Sequence, residues 1–277
     1  MNVKGRIDFV AQTDVGQVRD HNEDYVSCVE HLGIAVLADG MGGLNAGEVA
    51  SSMTVHLLID DLVAFSEGQS GVAEELPADT DDLPACSRVV KYLIEKANSA
   101  VFHVSQTQPQ CRGMGTTVLV SLFHDNKVYV GHIGDSRVYR FRDNKLEQIT
   151  KDHSFVQELI DKGLYTKEEA RESNRKNVVT RALGVAPTVE AEVHEHKARV
   201  GDIYLMCSDG LTDLVTDDDI ETTFRELGSN LAETAGHLVN VANASGGKDN
   251  ISVVLARISK PFPAQGNLFN RIVNWFE

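Results

Sequence analysis

The chain has 277 residues, 42% of them hydrophobic and 24% charged, which is enough apolar material for one large core and excludes wholesale disorder. Its formal charge is −15, so no basic footprint exists to neutralise nucleic-acid phosphates or an anionic membrane. Four cysteines (Cys28, Cys86, Cys111, Cys207) stand far apart without a Cys-x-x-Cys pair, which excludes a zinc ribbon or disulfide framework and fits reduced thiols in a cytoplasm.

Residues 1–30 carry charges throughout and no apolar h-region, and no run approaches about 18 apolar residues, so neither a signal peptide nor a membrane span is expected. Strand signals come first, at Ile7–Gln12, Tyr25–Glu30 and Gly33–Ala38. Residues 46–65 then change period: Val49, Met53 and Leu57 recur every fourth residue, with Leu58 and Val63 beside them, as on an amphipathic helix. Residues 66–85 are acidic, hold Gly, Ser and Pro, and read as a surface loop. A second long helix is predicted over about 86–106, with Val90, Ile94, Ala97 and Val101 on one face.

A dense strand block follows at Thr116–Phe123, Lys127–Ile133 and Arg137–Arg142, with His124-Asp125-Asn126 as a turn. A helix over about 154–162 ends at Gly163, and the charged stretch 164–180 is helical at best in part. Further strands are expected at 203–207 and 251–257. Helices are expected from Thr216-Asp-Asp-Asp219, where acidic residues meet the positive end of the dipole, and over about 230–243. Strands and helices cluster and do not alternate, which predicts an α+β fold with antiparallel sheet packed on sheet and helix pairs outside.

Carboxylates gather at the ends of these strands. Asp39-Gly40 closes the run Ile34–Ala38, Asp209-Gly210 follows Ile203–Ser208, and Asp249 stands just before Ile251–Arg257. A single Asp-Gly is most simply a turn. Three carboxylates fixed at strand ends could instead converge on hard cations, which prefer oxygen ligands.

The polar clusters run in order: Arg19-Asp-His-Asn22-Glu23-Asp24, Asp39-Gly-Met-Gly-Gly43, Gly113-Met-Gly115-Thr116-Thr117, Gly134-Asp135-Ser136-Arg137, Thr150-Lys-Asp152-His153-Ser154, Thr180-Arg-Ala-Leu-Gly184, Ser208-Asp209-Gly-Leu-Thr-Asp213 and Gly247-Lys-Asp249-Asn250-Ile-Ser252. In this order and spacing, from about residue 7 to 257, the sequence resembles the metal-dependent serine/threonine protein phosphatases of the type 2C family in their compact bacterial form. The resemblance implies a β-sandwich of two antiparallel sheets flanked by helices, with two divalent ions, Mg²⁺ or Mn²⁺, at one end. It implies that Asp39 bridges both ions, that Asp209 and Asp249 complete one shell, and that Glu23 and the carbonyl of Gly40 serve the other. Arg19 matches the arginine that holds the substrate phosphate. Asp135 and Asp209 match the ligands of a third ion in bacterial relatives, although Asp135 also fits a plain turn. Asp24 is expected to orient Glu23 or a water.

The chemistry is consistent with these expectations. Phosphomonoester hydrolysis needs a nucleophile, charge neutralisation and help for the leaving group. Two cations about 4 Å apart acidify a shared water. A guanidinium matches phosphate oxygens bidentately. Gly113, Gly115, Thr116 and Thr117 read as structural, Asn250 as support for the Asp249 loop, and Asp152 as a cap for the helix beginning at His153 or Ser154. One departure stands out: some eukaryotic relatives place a histidine, proposed as general acid, where this chain has Met41. Neither His21 nor His153 is assigned that role.

The reading is one catalytic domain over 1–257, with a flap-like insertion at about 161–180 that corresponds to a substrate-governing loop in bacterial relatives. Residues 258–277 form a tail whose amphipathic part, Leu268–Phe276, either packs on its own domain or docks a partner or membrane face. The expected function is cytoplasmic dephosphorylation of phosphoserine and phosphothreonine in proteins, opposing a serine/threonine kinase. The rival readings are a small phosphoester hydrolase and a non-catalytic phosphoprotein-binding module.

Overall fold

The computed structural model describes residues 2–43, 46–69, 71, 72, 76 and 83–264. One antiparallel sheet has the order β1 (Ile7–Asp14), β11 (Ile251–Ile258), β10 (Ile203–Cys207), β7 (Arg137–Arg142), β8 (Lys145–Gln148). The other has β2 (Asp24–Val29), β3 (Ile34–Met41), β5 (Val118–His124), β6 (Lys127–Ile133), β9 (Glu192–Lys197), with the two-residue β4 (Gly115–Thr116) pairing β3. The α+β sandwich expected from sequence is present.

The period-two alternation of strands decides which core each residue enters. In β3, Ala35 and Leu37 point between the sheets, where they meet Tyr204, Met206 and Val254 of the opposite sheet. Ile34, Val36 and Ala38 point outward, under α1 (Ala46–Ser66) and α2 (Ala85–Thr107). On the far side, α5 (Asp209–Thr212), α6 (Asp217–Leu227) and α7 (Leu231–Ala244) cover Leu205, Cys207 and Val253. Both faces of the central strands are thus buried, which explains why every residue of β5 is buried and most are apolar.

The predicted stripe on α2 is correct, since Val90, Ile94, Ala97 and Val101 are all buried. On α1 the helix is right and the face is wrong. Val49 is 40% exposed, and the buried side is Ala46, Gly47, Ala50, Ser51, Thr54, Leu58 and Leu62. Small side chains let this helix lie close against β2 and β3, and a count of large apolar residues misses them. α1 is also long and apolar enough to cross a membrane by length and composition, but here it packs on the sheet.

β8 and β9 are absent from the sequence reading. Asp143-Asn144 makes the same positive-φ two-residue turn before β8 that Asp125-Asn126 makes before β6. β9, Glu192-Val-His-Glu-His-Lys197, is an edge strand whose charged and histidine residues hide its alternation. The flap region holds α3 (Phe155–Asp161) and α4 (Lys167–Glu172). Ser154 and Val179 form an isolated bridge, and Phe155 N–H donates to the Val178 carbonyl at 2.8 Å, so the neck of the flap is closed. Of the tail, Phe262 is buried and its N–H donates to Asn126 at 2.7 Å; the amphipathic part, Leu268–Phe276, lies outside the described residues.

Candidate metal centre and active site

On β2, β3 and β10 the inter-sheet face is apolar (Val26 and Cys28; Ala35 and Leu37; Tyr204 and Met206) until the mouth of the sandwich, where it turns polar. Asp39 continues the Ala35–Leu37 side of β3. Asp24 is its direct cross-strand partner on β2, on the side of Val26 and Cys28. From the opposite sheet come Ser208 and Asp209 at the end of β10, and Asp249 and Ser252 around the start of β11. Ser208 Oγ donates to Asp24 Oδ2 at 2.8 Å and joins the two sheets there. A serine so engaged, with no histidine on it, is not a nucleophile.

The backbone of Asp39 is held on both sides: its N–H donates to Thr117 Oγ1 at 3.1 Å, and its carbonyl accepts from Thr117 N–H at 2.8 Å. Thr116 Oγ1 donates to the same carbonyl at 2.8 Å. Gly40 N–H donates to the Glu23 carbonyl at 3.1 Å. A Cβ on Gly40 would fall on the carbonyls of Gly47 and Glu23, so only glycine lets these three segments meet. The Glu23 carboxylate accepts the Gly47 N–H, at the positive end of α1.

Asn250 does more than the loop support expected of it. Its Oδ1 accepts Glu23 N–H at 2.8 Å, and its Nδ2 donates to the carbonyls of Val15 and His21, each at 2.9 Å. It therefore fixes the 15–23 loop, which carries Arg19 and Glu23, against the strand that carries Asp249. Arg19 donates to Asp249 Oδ2 at 2.7 Å with about half of its side chain exposed, free to swing toward a ligand.

The electrostatics are those of a site built for cations. Burial, and then the charges of Asp24, Asp209 and Asp135, hold the Asp39 carboxyl well above the usual range. Burial, then Asp135, Asp213 and Asp249, does the same to Asp209. Burial pushes Asp24 up to about 7, and its Oδ1 has no hydrogen-bond partner among the described residues. Burial also raises Glu23. Carboxyls that raise one another, with an orphaned buried oxygen, fit oxygen-loving divalent cations and would otherwise carry a large desolvation cost.

Asp135 joins the same field; burial and then Asp152 push it up to about 7. It follows Gly134, whose N–H donates to His153 Nδ1 at 3.1 Å and whose carbonyl accepts His153 N–H at 2.9 Å. Asp152 does not cap the next helix. Ser154 does, accepting from Gln157 N–H at 3.3 Å. Asp152 is gripped by Arg137, Nε to Oδ1 at 3.0 Å and NH2 to Oδ2 at 2.7 Å. A fixed guanidinium fork outcompetes a helix end for one carboxylate.

His132, His153 and Glu192 also bring possible ligand atoms within 4.8 Å of one another. Hydrogen bonds engage His153 and Glu192, and His132 Nε2 meets the Lys151 carbonyl at 2.9 Å, while His132 Nδ1 has no partner among the described residues. Gly134 N–H makes His153 Nδ1 an acceptor, so Nε2 carries the proton and donates to Glu192 at 3.0 Å. The His132 and His153 rings stack at 4.7 Å with 19° between planes, so their in-plane lone pairs do not converge. This is a hydrogen-bonded stack, not a cation site.

A family model described as Protein phosphatase 2C matches residues 15–243. The chain belongs to the protein phosphatase 2C family. It is 36% identical over 250 residues to a Listeria welshimeri protein named serine/threonine phosphatase stp, covering 88% of this chain and 93% of that one. It is 39% identical over 252 residues to the Mycobacterium tuberculosis serine/threonine protein phosphatase PstP, covering 90% of this chain and 45% of that longer protein. The crystal structure of the PstP catalytic domain with two manganese ions superposes with a TM-score of 0.75 at 37% identity, covering 91% of this chain and 97% of that one. For this phosphatase 2C chain, the carboxylate mouth is where such ions are to be sought.

Proposed function

We propose that this chain hydrolyses phosphoserine and phosphothreonine in proteins at the mouth of the sandwich, using two divalent cations, Mg²⁺ or Mn²⁺. The observation that carries the proposal is the convergence of Asp24, Asp39, Asp209 and Asp249 from both sheets, with the carboxyls of Asp24, Asp39 and Asp209 raised by burial and by the carboxylates around them. Glu23, Asp39, Asp209, Asp249 and the carbonyl of Gly40 would hold the two cations, and Asp135 with Asp209 a third. When bound, the cations supply charge neutralisation and an acidified water.

The chain's own residues do the rest. Arg19, half exposed and anchored by Asp249, presents a planar fork to the phosphate oxygens. Asn250 keeps that loop at a fixed distance from Asp249. Thr116 and Thr117 stop Asp39 from shifting when the charge around it changes. Met41, where some eukaryotic relatives carry histidine, cannot donate a proton, so in this reading the proton for the leaving alkoxide would come from water that the bound cations acidify.

The physiological partners in this reading are phosphorylated proteins and the serine/threonine kinase that marks them, in the cytoplasm, where the four unpaired cysteines would stay reduced. Residues 1–257 form the catalytic domain in this reading, and docking of a partner would fall to the amphipathic part of the tail, Leu268–Phe276. The deciding experiment is dephosphorylation of a phosphothreonine protein in chelator and after Mn²⁺ or Mg²⁺ is restored. Activity is expected to vanish and return, whereas full activity in excess chelator would remove the mechanism.

A further inference from the structure

A pocket of ≈ 170 Å³ opens beside Asp135 and Asp209 and runs between the flap and the segment after Asp209. That volume is comparable to the roughly 150 Å³ of an apolar cavity that takes up benzene. Its apolar lining is Val156 and Ile160 of α3, Ala170 of α4, and Leu214 and Val215. Val156, Ala170 and Val215 are buried in the fold, so the wall is fixed rather than a loose surface patch.

The charges around the pocket are mostly used by the protein itself. Arg137 and Asp152 form the bidentate pair at its floor. Lys176 holds Asp213 at 2.8 Å, with Asn177 on the same carboxylate at 3.1 Å. Arg171 faces Asp217 at 3.6 Å. These pairs tie the flap to the Asp209 side and keep the pocket formed. At its open end stand Asp135 and Asp209, which belong to the metal centre, and Lys167 lies on the rim. An incoming side chain therefore meets paired charges and neutral polar groups such as Gln157 and Thr212 on one side and the aliphatic groups of Val156, Ile160, Leu214 and Val215 on the other.

We propose that this pocket is a substrate subsite that takes a large aliphatic side chain, leucine, isoleucine or methionine, close in sequence to the phosphorylated residue. The inference rests on the phosphoprotein phosphatase reading above. A phosphate held at the Asp39–Asp209 centre puts the neighbouring peptide residues at the pocket's open end. Burying one aliphatic side chain there favours a substrate by roughly 10-fold over alanine at the same position. The flap then contributes to substrate choice through apolar fit, with its own charges spent on holding it in place.

The test uses phosphothreonine peptides in one background, with leucine, alanine or glutamate placed in turn at each flanking position, on the full chain with Mn²⁺. The expected result is a leucine-to-alanine ratio of kcat/KM of roughly 10 at one position. In Ala170→Leu, which fills the pocket, that ratio should fall toward 1. A general loss of folding or metal binding slows both peptides equally and leaves the ratio alone. Ile160→Ala, which enlarges the pocket, should shift the preference from leucine toward phenylalanine. No aliphatic preference at any position, or a wild-type ratio in both variants, overturns the proposal. A preference for glutamate does so too and assigns recognition to Lys167. If no peptide is hydrolysed while an aryl phosphate is, the phosphoprotein reading itself fails and the subsite falls with it.

Discussion

β10 carries an aspartate at each end, and the two could hardly differ more. Asp202, just before the strand, is 1% exposed and completely matched. Arg142 donates to both its oxygens, at 2.7 and 2.6 Å, and Arg199 N–H donates at 2.7 Å. Asp209, just after the strand, faces Asp135, Asp213 and Asp249, and burial with those carboxylates holds its carboxyl well above the usual range. Both ends are set by the same five-residue strand, so position and rigidity are shared and only the company differs. A buried carboxylate met by an arginine is architecture. One met by other carboxylates is a site whose missing charge comes from outside the chain.

Removing charge at the two ends sharpens this contrast. Asp209→Asn and Asp39→Ala are expected to lower kcat by roughly 10³ or more, because ligand loss removes water activation and charge neutralisation together. Measured in chelator, the same variants should melt at or above the wild-type temperature, since a carboxyl held above its unfolded value costs stability when ionised. Arg19→Ala should be milder, roughly 10- to 100-fold in kcat/KM, for one lost charge-assisted clamp. An Arg19 effect larger than that of Asp39 would mean the roles are misassigned. Asp202→Ala should do the reverse of Asp209→Asn, lowering the unfolding free energy by about 3–5 kcal/mol through an unpaired, partly buried Arg142 and leaving kcat of the folded protein intact. Urea unfolding read beside kcat separates the two behaviours. If Asp202→Ala were as inactive as Asp209→Asn at full stability, the distinction would collapse.

The carboxylate end was legible in the sequence because a strand's alternation carries straight into its last residue. Asp39 follows Leu37 on the same face, and an Asp-Gly after an apolar run is visible without coordinates. Partnerships across the fold were not legible. Nothing local says that Arg137 takes Asp152, or that Asn250 reaches back to residues 15–23. The close face of α1 was missed because glycine, alanine, serine and threonine bury a helix by fitting it against strands and add little to an apolar count. β9 escaped because an edge strand is protected by charge, which erases the pattern that reveals inner strands.

A smaller effect tests the histidine stack away from the carboxylates. Burial pushes His132 down to about 4 in the folded protein, against an ordinary value near 6.5. The unfolded chain therefore binds a proton first as pH falls. Its contribution is fully present above about pH 6.5 and is lost progressively toward pH 4, with about 2 kcal/mol gone by pH 5. His132→Gln keeps a donor for the Lys151 carbonyl, which His132 Nε2 meets at 2.9 Å, and should flatten the urea midpoint between pH 7.5 and 5 relative to wild type. Parallel curves for the two proteins would mean that His132 is not held neutral.

The smallest expected effect concerns the general acid. Met41 leaves the position without a proton donor, and His153 bonds the backbone of Gly134, the residue before Asp135. Its ring has no proton to spare: Nδ1 accepts from Gly134 at 3.1 Å, and Nε2 donates to Glu192 at 3.0 Å. It is also 6% exposed. A serine phosphate leaves as an alkoxide and needs protonation, whereas p-nitrophenyl phosphate leaves as a stable aryloxide and needs little. Loss of a true general acid would therefore slow the phosphopeptide selectively. His153→Ala and His21→Ala are expected to change kcat/KM for the two substrates in the same proportion, so that their ratio stays near the wild-type value. A selective loss of roughly 10² on the phosphopeptide in either variant would make that histidine the acid. If the variant were His153→Ala, it would also show that its bond to Glu192 at the start of β9 opens during turnover.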